Sequence, residues 1–255
     1  MALDGSSPFT GRPGSSRQLL ELAESFDRVL ELVNHEAADT VLDAVTQVAV
    51  AQLPGAGWAS ITLVTGERFR TAAATDDLAR RADHLQYQLQ SGPCLDAARK
   101  HTVAHIPDTG QDTRWPEFAR RAADECGIGS VLSYRLTLEE PDGTTGSLNL
   151  YGRRPDGFDE QQLDVGGLIA TAGALAVTAA RYRDNAVSLA RGLRTNREIG
   201  TAVGILMHQH KVTQDQAFDL LRIASQHQNR KLRDIAAEVT HTGTLDLPVP
   251  GVTHG

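Results

Sequence analysis

Three segments near the C-terminal end of the chain repeat one apolar template. Ile199, Ala202, Val203 and Leu206 fall at i, i+3, i+4 and i+7, as do Ala217, Leu220, Leu221 and Ala224, and again Leu232, Ile235, Ala236 and Val239. This spacing puts each set on one stripe of a helix and predicts three short helices around a small shared core. Ahead of them lies a stretch without proline from Pro155 to Pro248. In it Leu168, Ala172, Leu175, Ala179, Tyr182, Ala186, Leu189, Leu193, Asn196, Gly200, Val203 and Met207 alternate steps of four and three. That pattern predicts a long helix with a coiled-coil seam, opened by Asp159 and Gln162 in capping-box spacing. The seam is expected to pair two copies of the chain rather than to pack on its own domain. Ala and Gly make it weak, and Asn196 would set its register.

Upstream the periodicity changes. Residues 17–53 read as one or two helices with a short seam at Leu19, Ala23, Phe26, Leu30 and Val33, ended by Leu53-Pro54-Gly55. Trp58 to Val64 and Arg68 to Ala74 read as a hairpin around Thr65-Gly66-Glu67, and Ser130 to Glu139 with Gly146 to Tyr151 as a second around Pro141-Asp142-Gly143. Between them come a polar helix (Asp76 to Gln90), a short helix from Pro93 to His101, a strand (Val103 to Ile106) and a helix from Thr113 to Cys126. The expected fold is α+β, a single antiparallel sheet with packed helices, then the long coiled-coil helix and an all-α three-helix domain. The expected divisions are a disordered tail (1–16), the α+β domain with its N-terminal helix (17–180), a connector (181–196), the three-helix domain (197–243) and a tail (244–255).

Charge sharpens this division. The 255 residues sum to −7, but residues 1–180 hold 15 Lys and Arg against 25 Asp and Glu, while residues 181–241 hold 10 against 6. An acidic body with a basic appendage suits either a polyanion partner or an ordinary solvated helix surface. No run of apolar residues is long enough to span a bilayer. With two cysteines and no signal-peptide pattern at the start, a reducing cytoplasm with free thiols is expected.

Catalytic motifs for nucleophile elbows, phosphate loops, dinucleotide binding or zinc hydrolysis are absent from the sequence. No catalytic residue, metal site or cofactor is assigned, and His208 and His210 stand two apart with no third ligand nearby. The hairpin carboxylates Glu139, Glu140 and Asp142 read as solvated. Cys94, following Pro93 at the start of a short helix, is a candidate sensor thiol whose pKa the helix dipole would lower. Buried packing is its commoner alternative, as it is for Cys126 and Trp115. Opposite the apolar stripes of the three C-terminal helices stand Arg197, Gly204, Arg222 and Arg230, with Lys231 and Arg233 beside the last stripe. Cations around an exposed glycine suit phosphate contacts. Phe218, next to the core, leaves this surface without an aromatic.

The stretch Arg197 to Val239 resembles an ANTAR domain, on Arg197-Glu198-Ile199, Ala202-Val203-Gly204-Ile205-Leu206-Met207, Ala217-Phe218-Asp219-Leu220-Leu221-Arg222-Ile223-Ala224, Asn229-Arg230-Lys231-Leu232 and Ile235-Ala236. Residues 40–180 resemble a GAF sensor domain, on Ser91-Gly92-Pro93-Cys94-Leu95-Asp96-Ala97, Arg114-Trp115-Pro116 and Gly146-Ser147-Leu148-Asn149-Leu150-Tyr151. The ANTAR resemblance implies a homodimer that binds RNA stem-loops and prevents terminator formation. Its implied RNA-binding residues are Arg197, Ala202, Gly204, Met207, Ala217, Arg222, Ala224, Arg230, Lys231 and Arg233. The family often has Ala-Lys-Gly where this chain has Ala202-Val203-Gly204, so one cation is missing. The GAF resemblance implies control by a small-molecule effector that the sequence does not identify. The marks of cyclic-nucleotide binding and of bilin attachment are absent. A DNA-binding helix-turn-helix with a GAF sensor is the alternative, and a sensor whose basic face docks an acidic protein is a third reading.

Overall fold

The computed structural model describes residues 13–100, 103–138 and 142–245, with side chains from residue 17 onward. The chain divides into two compact units, Met1–Asp184 and Asn185–Gly255.

In the first unit, α1 (Pro13–His35) and α2 (Ala38–Gln52) precede β1 (Trp58–Thr65) and β2 (Arg68–Ala74). Then follow α3 (Asp77–Leu89), α4 (Pro93–Lys100), β3 (Ala104–Ile106), α5 (Pro116–Cys126), β4 (Ser130–Leu136) and β5 (Thr145–Gly152). The five strands form one antiparallel sheet in the order β2-β1-β5-β4-β3. Helix α6 (Glu160–His210) begins in this unit and ends in the second.

Side-chain alternation gives the sheet two different faces. Ala59, Ile61 and Leu63 of β1, Leu132, Tyr134 and Leu136 of β4 and Leu148 and Leu150 of β5 form one apolar face, packed with α1, α2 and the first part of α6. The opposite face carries Trp58, Val131 and Tyr151 under α3 and α5 at one end of the sheet. Along the same strands it continues as Ser60, Thr62, Ser133, Arg135, Ser147 and Asn149, all buried except the half-buried Arg135.

Several expected boundaries shift. Helix α1 starts at Pro13, inside the expected tail; residues 1–12 lie outside the described residues. Its buried stripe is Leu22, Ser25, Val29 and Val33, while Leu19, Ala23 and Leu30 of the expected seam face solvent. Ser25 hides the true phase because its hydroxyl is satisfied locally, donating to the Glu21 carbonyl at 2.8 Å. Helix α5 begins three residues later than expected. Asp112 accepts from the backbone N–H of Arg114 and of Trp115, each at 2.9 Å, holding residues 112–115 in a turn that Pro116 then leaves as a helix. Strand β4 stops at Leu136; Glu139 and Glu140, like His101, lie outside the described residues.

Asp159 caps α6, accepting from the Gln162 N–H at 2.8 Å. Within the first unit α6 buries Val165, Ile169, Ala170, Ala174, Ala176, Val177 and Ala180. Gly166 and Gly173 let it come close: a Cβ on Gly173 would fall 2.7 Å from Val45 Cγ1, and one on Gly166 would fall 2.7 Å from the Tyr134 ring. An 18-residue window of α6 has a mean hydropathy of 1.6, enough by length and composition to cross a membrane, and half of it is buried inside the protein. Packing against the sheet accounts for that apolarity. Helix α6 thus packs on its own domain through a stripe other than the seam expected to pair two copies. The seam positions Leu168, Leu175, Tyr182, Leu189 and Leu193 nonetheless remain exposed, on a second apolar stripe.

In the second unit, α6 is followed by α7 (Gln214–His227) and α8 (Leu232–Thr242). Thr213 and Gln216 form a complete capping box at the start of α7. Ala202, Val203, Leu206, Ala217, Leu221, Ala224, Ile235, Ala236 and Val239 make the shared core, as the repeated template predicts. Leu245, expected in the tail, packs against this core.

Candidate functional site

The polar stretch of the sheet in the first unit is closed by α3 and α4 into a buried network centred on Asp83. Helix α3 buries Ala79, Ala82, Asp83 and Gln86, an i, i+3, i+4, i+7 stripe half of which is polar. The Asp83 carboxylate accepts from Ser60 Oγ (2.9 Å), Thr71 Oγ1 (2.7 Å), Tyr151 Oη (2.5 Å) and Asn149 Nδ2 (3.4 Å). Tyr87 Oη bridges Thr62 (2.9 Å) and Thr71 (3.1 Å). A register shift beside Ile61 and Thr62 sets Thr62 directly opposite Thr71 and so allows this bridge. Despite its donors, Asp83 has its pKa pushed up from 3.8 to about 6, because complete burial outweighs them.

Beside this network four buried polar atoms have no partner among the described residues: Asn149 Oδ1, Ser133 Oγ, Ser147 Oγ and Arg135 Nε. Cross-strand pairing brings their residues together, Asn149 opposite Ser133 and Ser147 opposite Arg135. Among the described residues the Arg135 guanidinium hydrogen-bonds the Ala98 carbonyl through Nη1 (2.8 Å) and no other group. Unpaired buried polar groups cost about 1–3 kcal/mol each, so these four leave this face of the sheet short of hydrogen-bond partners.

Cys94 borders this network, its N–H donating to Gln86 Oε1 at 2.8 Å. It is fully buried, and burial, reinforced by Asp83, pushes its thiol well above the usual value. The expectation of a helix-lowered pKa is reversed, because desolvation exceeds what an eight-residue helix offers. Cys126 is also buried, at the edge of a surface groove between α3 and α5, and its thiol is pushed up too.

In the second unit the expected RNA-binding residues separate into two groups. Arg197, Gly204, Arg222, Arg230, Lys231 and Arg233 are exposed, and Met207 is half-buried. Ala202, Ala217 and Ala224 are completely buried, so their side chains cannot touch a ligand. They are small because three helices meet over them. Among the cations, Arg222 pairs with Asp219 (3.0 Å), Arg230 with Glu238 (2.5 Å) and Arg233 with Asp234 (3.3 Å). Such exposed pairs are worth about 0–1 kcal/mol and yield readily to a phosphate. Arg230 and Lys231 stand in the turn before α8, where Asn229 adopts φ 51° and no side chain caps the helix. They therefore add charge to a helix N-terminus, which itself favours anions.

Phe218 corrects a further expectation. It is 40% exposed and lines a groove of about 450 Å³ with Asn196, Gly200, Gly204, Met207, Gln214 and Asp215. The surface does carry an aromatic. Among the described residues no group of three or more His, Cys, Asp or Glu side chains converges as a metal site would.

An α+β unit with a buried polar network is thus joined to a small cationic three-helix module. The GAF domain model matches residues 35–178 and the ANTAR domain model residues 188–239. The first match spans more than half of the chain, which belongs to the GAF family and, with the ANTAR domain behind it, is a GAF–ANTAR regulator. Among solved structures it is similar to the GAF domain of a phosphoenolpyruvate-protein phosphotransferase from Coxiella burnetii (14% identity, 65% of this chain and 98% of that one, TM-score 0.47). It is also similar to free methionine-R-sulfoxide reductase from Neisseria meningitidis in complex with its substrate (16%, 71% and 98%, 0.47). A bacteriophytochrome from R. palustris matches at 10% identity over 77% of this chain and 43% of that one, with a TM-score of 0.51. At these identities the likeness concerns the fold alone. No curated protein sequence matches the chain.

Proposed function

We propose that this protein is a cytoplasmic, homodimeric transcription antitermination regulator. Its ANTAR unit binds RNA stem-loops, and its GAF unit controls that binding through a small-molecule effector. The observation that carries the RNA reading is the set of exposed cations, Arg197, Arg222, Arg230, Lys231 and Arg233, on the outside of a three-helix core too small for an enclosed active site. Arg supplies both phosphate contacts and planar hydrogen bonding to bases. The effector would enter beside Asp83, Asn149, Ser133, Ser147 and Arg135, where unpaired polar atoms are already buried. The exposed stripe Leu168, Leu175, Tyr182, Leu189 and Leu193 would pair two copies. Effector binding would shift the population of dimer arrangements. A DNA-binding helix-turn-helix is the less favoured reading, since residues 188–239 match ANTAR.

A salt series of gel shifts with a stem-loop RNA, the same sequence as duplex DNA and an unrelated RNA tests this. Preference for the stem-loop is expected, with Lys231→Ala lowering the salt slope by about 1. Arg222→Ala should weaken RNA binding while stability stays within about 0.5 kcal/mol, as at other surface sites. Equal affinity for all three nucleic acids overturns the specific-RNA reading.

A further inference from the structure

The groove between α6 and α7 has a composition unlike a helix–helix contact. Its floor is the bare α6 backbone: Gly200 and Gly204 lie one turn apart, and a Cβ on either would meet open space. Phe218 forms one wall and Met207 lies in the same lining. At the rim stand Asn196, Gln214 and Asp215, and none of the three makes a side-chain hydrogen bond or ion pair among the described residues. Arg197 beside them likewise has no carboxylate partner there. Gly in a helix interior costs about 1 kcal/mol against Ala, so two of them on one exposed face keep a space open at a cost in stability.

We infer that this groove captures one unpaired base of the RNA, stacked on Phe218 and read at its edge by Asp215 and Asn196. This inference rests on the RNA-binding reading above and gives it a specificity determinant. Every base has a face that stacks on an aromatic ring, and loop bases are free to leave the helical stack. An ionised carboxylate only accepts hydrogen bonds, so Asp215 selects an edge presenting N–H donors. Guanine offers two adjacent N–H donors on its Watson–Crick edge, and the Asn196 amide can donate to the neighbouring carbonyl. A second copy of the chain is the competing occupant. The groove argues against it: past Leu193 the stripe continues as Asn196 and Gly200, which have no apolar knobs for a coiled coil, and then as Val203, which is buried in the three-helix core, and the half-buried Met207.

The test uses the full-length chain and hairpin RNAs sharing one stem with a randomised loop, from which the tightest binders are selected and then resynthesised with each loop base removed in turn. One loop position is expected to lose affinity when abasic. Phe218→Ala should lose about 5- to 150-fold, the range for one stacked base, and Phe218→Trp should retain binding. Gly204→Leu fills the groove without removing any core contact and should lose affinity similarly, while Asp215→Asn should relax the preference for guanine at the same position. If wild type selects no hairpin, the RNA reading itself fails and this one with it. If wild type binds while Phe218→Ala and Gly204→Leu bind equally well, the groove is not a base site though the RNA reading stands. Conversion of the dimer to monomer by Gly204→Leu, seen by native mass spectrometry, assigns the groove to the second copy and overturns the inference.

Discussion

Asp83→Asn is the sharpest probe of the buried polar network, because two large effects oppose each other there. Four donors to the carboxylate favour its ionised form, and complete burial disfavours it; burial prevails, raising the pKa from 3.8 to about 6. A group whose native pKa is raised binds its proton more tightly when folded. Its contribution to stability is therefore complete below about pH 4 and is lost as pH rises through about 6. A shift of about two units at about 1.36 kcal/mol per unit corresponds to about 3 kcal/mol lost across that window. The Asn variant carries no charge and lacks this slope. The stability of variant minus wild type should accordingly rise by about 3 kcal/mol between pH 4 and pH 7, whatever its starting offset from altered hydrogen bonding. The chain has two tryptophans, Trp58 and Trp115, both in the GAF unit. Urea unfolding followed by tryptophan fluorescence thus reads this unit without interference from ANTAR. A difference that stays flat with pH would refute the dominance of burial; a difference running the opposite way would show that the four donors win.

Three further outcomes follow from the packing. Cys94 should resist alkylation in the native protein at neutral pH and react at the rate of GAF unfolding, since its thiol is both buried and held in the protonated form; rapid labelling of folded protein would contradict this. Gly173→Leu should destabilise the GAF unit by several kcal/mol through collision with Val45, a loss that urea unfolding would register. Leu175→Arg, on the exposed stripe of the same helix, should leave that stability nearly unchanged and instead shift the mass seen by sedimentation toward the monomer.

The strands were legible because alternation is a strict signal: in β1, Ala59, Ile61 and Leu63 interleave with Trp58, Ser60 and Thr62, and the two sets face different layers. The buried polar face was written in that same alternation. Ser60 and Thr62, Ser133 and Arg135, and Ser147 and Asn149 occupy equivalent faces of three neighbouring strands. It went unread because a polar position in a half-buried strand is ordinarily the solvent side, and because Asp83 and Gln86 made α3 look like a surface helix. The second layer of helices turns that face inward. The ANTAR core was fully legible from one repeated template. The same residues misled the site assignment, since family-marking alanines such as Ala202, Ala217 and Ala224 record close helix packing rather than contact with a ligand.

Helix α6 shows why a heptad pattern does not name its partner. Two apolar stripes run along it within the GAF unit: Val165, Ile169, Ala176 and Val177 with neighbouring small residues are buried, and Leu168, Leu175 and Tyr182 are exposed. A count of steps of four and three finds the second stripe and reads its Ala and Gly companions as weakness. The glycines on the buried side, which are not seam positions, have a separate cause: Gly173 admits Val45 and Gly166 admits the Tyr134 ring, so they set the distance between helix and domain. The Tyr134 hydroxyl donates to the Leu163 carbonyl at 2.5 Å, and the Ala38 N–H donates to Asp184 Oδ2 at 2.9 Å, tying α6 to the sheet and to the start of α2. An effector that rearranged the buried polar face of that sheet would act on a layer to which α6 is directly bonded. In the proposed dimer, the exposed residues Leu168, Leu175 and Tyr182 would carry the result to a second copy.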